Sequence, residues 1–172
     1  TFLGSIISSQ KTAAAAGKVG EVRRDPMAML PFCGYNMADY WSHWLSIGRR
    51  PGARLPKIFY VNWFRKSEGG DFLWPGFGEN SRVLKWVYER CAGTTKAQET
   101  AIGNLPAAGG IDVDGLDLDA EELAELLRVD VEGWLGELPQ IREYYDQFGD
   151  RLPEKLAAEL DAMQERLEAA KG

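Results

Sequence analysis

The spacing of apolar positions along this chain changes several times, and each change marks an expected element. Met37, Tyr40, Trp41, Trp44 and Leu45 fall on one side of a helical turn, giving a buried stripe that Asn36 can cap and that ends near Ser46, with Gly48 just beyond. Residues 57–64, KIFYVNWF, lack that period. Their β-branched and aromatic side chains alternate onto both faces, so a strand covered from both sides is expected. Helical spacing resumes over 81–90 through Val83, Leu84 and Val87. A further helix opens at Asp119 and Glu122, which have capping-box spacing, and turns Leu123, Leu126 and Leu127 inward. Over 130–148 the pattern predicts a helix or helix pair, broken or restarted at Pro139 and stopped by Gly149. A last helix begins at Pro153 and buries Leu156, Leu160, Met163 and Leu167.

Between these elements the chain is punctuated. Residues 49–56 form a charged loop with Pro51, Gly52 and Pro56, and Glu68 to Gly70 read as a turn. Residues 72–80, FLWPGFGEN, are too interrupted by Pro75, Gly76 and Gly78 for a regular element, and 92–117 reads as a linker or long loop. Residues 4–20 are bounded by glycines and filled with small or polar side chains. That composition suits either a mobile loop that orders cheaply or a surface helix with frayed ends. Strands early and helices late give an α/β fold in the broad sense, mixed α and β, with a strand-containing first half and a helical acidic tail.

Charge sharpens the division. The net charge of −6 comes from 14 Lys or Arg against 8 Asp or Glu in residues 1–110, and 6 against 18 in residues 111–172. The basic part suits an anionic partner, and the acidic part reads as a solvated face. Basic residues cluster only as doublets, Arg23-Arg24 and Arg49-Arg50, so nucleic acid is an unsuitable partner. Apolar runs fall far short of the ~20 residues of a membrane span, and no secretory leader is recognisable. One His excludes a multi-histidine metal site built by this chain, and His43 lies off the apolar stripe with no role assigned. Two cysteines, Cys33 and Cys91, match no paired framework, which suits a reducing, cytoplasmic setting.

Complete catalytic motifs are missing. Gly17-Lys18 imitates the end of a phosphate-binding loop, yet Thr12 stands where Gly is needed and Val19 where Ser or Thr is needed. The notable constellation is Trp63, Phe64, Phe72, Trp74, Phe77 and Asn80 around Gly and Pro turns. Aromatic faces on irregular backbone can make a slot for a purine base, with a side-chain amide at its edge, and Arg65 and Lys66 add positive charge. The same rings can equally form a core corner or an interface.

Three phrases in order, RDPMAMLPFCGYNMADYWSHWL (24–45), LPKIFYVNWFRK (55–66) and FLWPGFGENSRVLKW (72–86), resemble the GTP-dependent phosphoenolpyruvate carboxykinases. The likeness runs from about residue 4 to residue 91, and GLDLDAEEL and FGDRLP are similar to that family's C-terminal end. It implies the C-terminal portion of the catalytic, nucleotide-binding domain of a longer enzyme, a reading that also suits a chain opening on Thr1. On that basis 4–20 is a lid loop, 21–92 a guanine-binding core and 111–172 a helical tail. The resemblance places Trp63, Phe64, Phe72, Phe77 and Asn80 at the guanine. It makes Ser9, Gln10, Lys11, Thr12, Ala13, Ala14, Ala15, Ala16 and Gly17 the active-site lid, although Gln10 stands where many members carry Glu.

The reaction implied is oxaloacetate and GTP to phosphoenolpyruvate, GDP and carbon dioxide, a gluconeogenic step using manganese, with magnesium on the nucleotide. By the same resemblance the metal ligands, phosphate loop and substrate arginines lie in the remaining N-terminal part of the enzyme, so this chain alone is expected to be inactive. A non-catalytic purine-nucleotide-binding or oligomer-forming module is the alternative.

Overall fold

The computed structural model describes residues 1–11 and 21–171. Its chain order is α1 (Phe2–Ser5), β1 (Ser8–Gln10), β2 (Val22–Arg24), α2 (Met37–Ile47), α3 (Asn80–Ala92), β3 (Ala97–Thr100), β4 (Gly103–Pro106), α4 (Ala120–Leu127), α5 (Val131–Asp146) and α6 (Glu154–Ala169). Short 3-10 turns cover Pro26–Ala28, Phe77–Glu79 and Gly149–Arg151. The fold is mixed α and β, with helix far outweighing strand, and it divides into two compact units, Thr1–Pro56 with Glu132–Gly172, and Lys57–Val131.

In the first unit the core lies among α2, α5 and α6. Asn36 caps α2 by accepting from the Ala38 N–H at 2.9 Å, and Met37, Ala38 and Trp41 are buried. Trp44, expected on the same stripe, is exposed. The fully buried Trp41 ring packs edge-on to Phe148 at 4.7 Å and to Tyr145 at 6.0 Å. Leu156, Leu160, Met163 and Leu167 on α6 are all buried, as their spacing requires. Pro139 does not break α5. It sits inside a continuous helix, because Leu138, Ile141 and Tyr145 on either side of it are buried and hold the turn that lacks a proline N–H.

Residues 4–11 are not the loose segment their small side chains suggest. Ser5 is fully buried, its Oγ donating to the Phe2 carbonyl at 2.7 Å and meeting the Tyr145 hydroxyl at 2.6 Å. Gly4 allows this: a Cβ there would lie 2.3 Å from the Met27 sulfur. β1 then pairs antiparallel with β2, Ser8 opposite Arg24 and Gln10 opposite Val22.

The second unit departs further from the sequence pattern. Residues 57–63 do not form the strand that the pattern predicts. They form no ladder among the described residues, Trp63 already lies in a turn, and Ile58 and Tyr60 are each 68% exposed. A strand exists only through hydrogen bonds to a neighbour, and the described chain supplies none here. Only one side is covered, where Phe59 meets Trp86 edge-on at 6.0 Å. On α3 it is Trp86 that is buried, while Leu84 faces solvent. The expected linker contains a hairpin, β3 with β4, in register from Ala97 opposite Pro106 to Thr100 opposite Gly103. Its weakly apolar AQET and GNLP strands give no alternating signal. The capping box of α4 is complete: Asp119 Oδ1 accepts from the Glu121 and Glu122 N–H groups, and the Glu122 carboxylate accepts from the Asp119 N–H.

Burial pushes the Tyr145 phenol up to about 12 from 10, against an opposing contribution from its Ser5 hydrogen bond. The folded state therefore keeps a proton that the unfolded chain releases. Stability is expected to be intact below about pH 10 and to fall as pH rises from about 10 towards 12. Denaturant midpoints across that window should show a shallower fall in Tyr145→Phe, which at neutral pH loses only about 1 kcal/mol. Equal slopes for the two proteins would exclude Tyr145 as the titrating group.

Candidate functional site

Residues 63–79 of the second unit form an irregular loop that leads into α3. Ser67 N–H donates to the Asp71 carbonyl at 2.9 Å, Gly70 N–H to the Ser67 carbonyl at 3.0 Å, and Lys66 bridges Phe72, so the chain doubles back through a tight turn. Leu73 N–H donates to the Arg65 carbonyl at 3.0 Å. Burial alternates along the first arm, residues 63–68, and the second arm turns two successive side chains inward. Leu73 and Trp74 are buried, whereas Phe64 and Phe72 point outward, their rings 6.1 Å apart and edge-on. Trp63 lies 6.5 Å from Trp74. The Lys66 ammonium stands 5.0 Å from the Phe72 ring centre, a cation–π distance.

Past Pro75, Gly76 takes φ 122°, a conformation open to glycine and strained for other residues, and this lifts Phe77 clear of the surface. Phe64 is 72% exposed, Phe72 58% and Phe77 91%. Burying a phenylalanine stabilises a fold by about 1.5–3 kcal/mol, so three uncovered rings in one loop mark a surface shaped for something other than folding. Asn80, at the start of α3, accepts from Trp74 Nε1–H through Oδ1 at 2.9 Å. With Oδ1 engaged, the side chain offers its NH2 group as a donor. Guanine presents acceptors at O6 and N7, whereas adenine presents an amino donor at the O6 position, so a fixed amide donor distinguishes the two bases.

Two arginines, Arg65 and Arg82, brace this loop. Arg65, expected to offer free positive charge, is instead engaged: it donates to the Arg128 carbonyl at 2.8 Å, the Leu126 carbonyl at 3.4 Å and Glu125 Oε1 at 2.9 Å, at the C-terminal end of α4. Arg82 donates to Glu79 at 2.7 Å and to the Asp112 and Asp114 carbonyls, each at 3.0 Å. A hydrogen bond from Arg128 foremost, and a second from Arg65, holds the Glu125 carboxyl down at about 2 against desolvation. The acidic segment is thus partly a counter-surface for these arginines and not wholly a solvated face. No short-range spacing signals these partners, since Arg65 and Glu125 lie 60 positions apart.

The expected lid residues belong to the first unit. Ser9 and Gln10 stand in β1, and Lys11 N–H donates to the Glu21 carbonyl at 2.8 Å while its ammonium meets Glu21 Oε2 at 2.9 Å. Thr12, Ala13, Ala14, Ala15, Ala16 and Gly17 lie outside the described residues. His43 is exposed, and Cys33 and Cys91 are unpaired. Among the described residues no three His, Cys, Asp or Glu side chains gather, so they do not fit a manganese or magnesium centre. No helix among them is long and apolar enough to cross a membrane.

Comparison with known proteins agrees with the sequence motifs. Residues 1–166 match the family model described as phosphoenolpyruvate carboxykinase C-terminal P-loop domain. Over 167 residues the chain is 56% identical to a protein named phosphoenolpyruvate carboxykinase (GTP) from Arthrobacter sp. strain FB24, covering 96% of this chain and 27% of that one. Proteins of the same name from Treponema pallidum and Neocallimastix frontalis are 52% and 54% identical over 174 and 171 residues, with 99% and 98% of this chain aligned. The chain spans 28% of the length of each of these two relatives. With its three long motifs and a family match across nearly every residue, this chain belongs to the GTP-dependent phosphoenolpyruvate carboxykinase family, as the C-terminal part of that enzyme.

Proposed function

We propose that this chain supplies the guanine-binding loop and the lid of an enzyme that converts oxaloacetate and GTP into phosphoenolpyruvate, GDP and carbon dioxide. The observation that carries the reading is that one loop exposes three phenylalanine rings, Phe64 and Phe72 paired at 6.1 Å and Phe77 further along, and leads into Asn80, whose amide oxygen is already engaged. Stacking on such rings contributes roughly 1–3 kcal/mol per base and tolerates any purine. Selection of guanine then rests on the Asn80 NH2 group donating to the base edge, where adenine would oppose donor to donor. Trp63, 6.5 Å from Trp74, flanks the base beside the phenylalanine rings.

In the reaction, the bond between the β-carboxylate carbon and C3 of oxaloacetate breaks and its electron pair stays on the substrate as an enolate. The enolate oxygen takes the γ-phosphoryl group and GDP departs. Water threatens this intermediate, because protonation at carbon yields pyruvate and wastes it. A lid formed by Ser9 to Gly17, closing during turnover and reopening for release, excludes that water. Small side chains in Thr12 to Gly17 keep the ordering cost of closure low. Oxaloacetate, the divalent metals and the phosphates of GTP are handled by the remaining N-terminal part of the enzyme. A gluconeogenic role in the cytoplasm fits the unpaired cysteines.

Asn80→Asp in the complete enzyme separates the two roles of this side chain, since it retains an acceptor for Trp74 and removes the amide donor. Titration should show GTP affinity falling at least tenfold while ATP affinity changes little, and parallel losses for both nucleotides would reject base-edge selection. Ala14→Gly raises the entropy lost on closure by about 0.5–1 kcal/mol, so the pyruvate share of product should increase. Unchanged partitioning at normal turnover counts against a lid. The purified chain alone should form no phosphoenolpyruvate, and mixing it with the missing N-terminal portion should restore GTP-dependent formation. An assembly that binds GTP yet stays inactive favours a non-catalytic nucleotide-binding module.

A further inference from the structure

We infer that Arg65 is a positioning residue for guanine, acting through α4: it locks the aromatic loop to the acidic segment so that Phe64 and Phe72 stand ready for the base. This deepens the function proposed above and rests on it. Arg65 sits between two residues of the site, Phe64 and Lys66, and its backbone and side chain do different work. Its carbonyl receives the Leu73 N–H at 3.0 Å, which fixes the register of the arm bearing Phe72 against the arm bearing Phe64. Its guanidinium turns the other way, onto the Leu126 and Arg128 carbonyls and Glu125.

The planar fork of arginine matches this set of acceptors. Carbonyls at a helix C-terminus lack intrahelical donors and carry partial negative charge, so a cation there satisfies them and gains from the helix dipole. A lysine ammonium places one compact charge and cannot reproduce the fork. Glu125 is shared with Arg128, whose Nε and Nη2 lie 2.6 and 3.0 Å from its two oxygens, so the carboxylate is oriented before Arg65 reaches it. Because the side chains alternate, a guanidinium anchored beneath the arm obliges the neighbouring Phe64 and Lys66 to face outward. Freed of that anchor, the arm can rotate and let its two exposed rings collapse onto apolar surface, which closes the slot. Arg65 therefore touches no nucleotide and determines whether a stacking surface exists.

The test is steady-state kinetics and direct GTP titration on the complete enzyme carrying Arg65→Ala, Arg65→Lys, Glu125→Lys or Phe64→Ala. Arg65→Ala should raise the KM and Kd for GTP about tenfold, with kcat at saturating GTP within about twofold and the KM for oxaloacetate unchanged. Arg65→Lys should recover part of that loss. A merely structural role would lower the active fraction, and so kcat, while leaving the GTP KM alone; that result overturns the inference. Should Arg65→Ala fail to fold, Glu125→Lys decides, since it sets a like charge against Arg65 on a side chain that is 36% exposed. A GTP KM raised at least threefold supports the anchor, and an unchanged one overturns it. If Phe64→Ala weakens GTP and neither Arg65 nor Glu125 variants do, the inference falls while the guanine site stands. If Phe64→Ala leaves GTP binding unaltered, the guanine reading itself falls.

Discussion

An aromatic ring left in solvent contributes nothing to the fold that carries it, so the loop bearing Phe64, Phe72 and Phe77 depends on polar anchors for its shape. Those anchors are the bond from the Trp74 indole to Asn80, the backbone bonds of the 67–71 turn, and two guanidinium groups that reach into the acidic segment. The indole engages a side-chain amide, and the other anchors engage backbone carbonyls or a carboxylate, groups whose positions are set by helix ends and turns. The apolar residues that hold the loop, Leu73 and Trp74, lie on the opposite side of the same arms. An open aromatic surface is thereby built without spending its exposed rings on packing against the core.

This division explains the charge asymmetry better than solvation does. The basic half places Arg65 in the irregular loop and Arg82 in the first turn of α3, and the acidic half answers with the Glu125 and Asp112 carboxylates and the Asp114 carbonyl. Many other acidic side chains do face water, as on any solvated helix. The first unit is built on a different principle. There α2, α5 and α6 bury Trp41, Ile141, Leu156, Leu160 and Leu167, and the short β1–β2 ribbon is extended by the bond from Lys11 N–H to the Glu21 carbonyl.

Elements fixed by local chemistry were legible in the sequence. The Asn36 cap, the capping box at Asp119 and the apolar stripe of α6 each rest on residues within one or two turns, and all three stand as the spacing requires. What escaped depends on distant partners. Residues 57–63 have every mark of a strand, yet pairing is a property of two segments and the described chain holds only one. The β3–β4 hairpin has too few apolar residues to signal itself, and Pro139 stays inside α5 because tertiary burial outweighs a missing hydrogen bond. At the site, the aromatic residues and Asn80 stood out by composition and family likeness. The bracing arginines did not, since nothing at position 65 announces a partner at 125.

At eight residues, α4 is too short to persist as an isolated helix in water. It is maintained by satisfaction at both termini, with Asp119 and Glu122 at one and the Arg65 guanidinium at the other. Fraying of that second terminus and release of the aromatic arm are therefore one event with one free energy, a single cooperative opening within the native state. A nucleotide that suppresses this fluctuation would slow amide exchange in a helix it never contacts, so base occupancy is written into the protection pattern of the acidic segment.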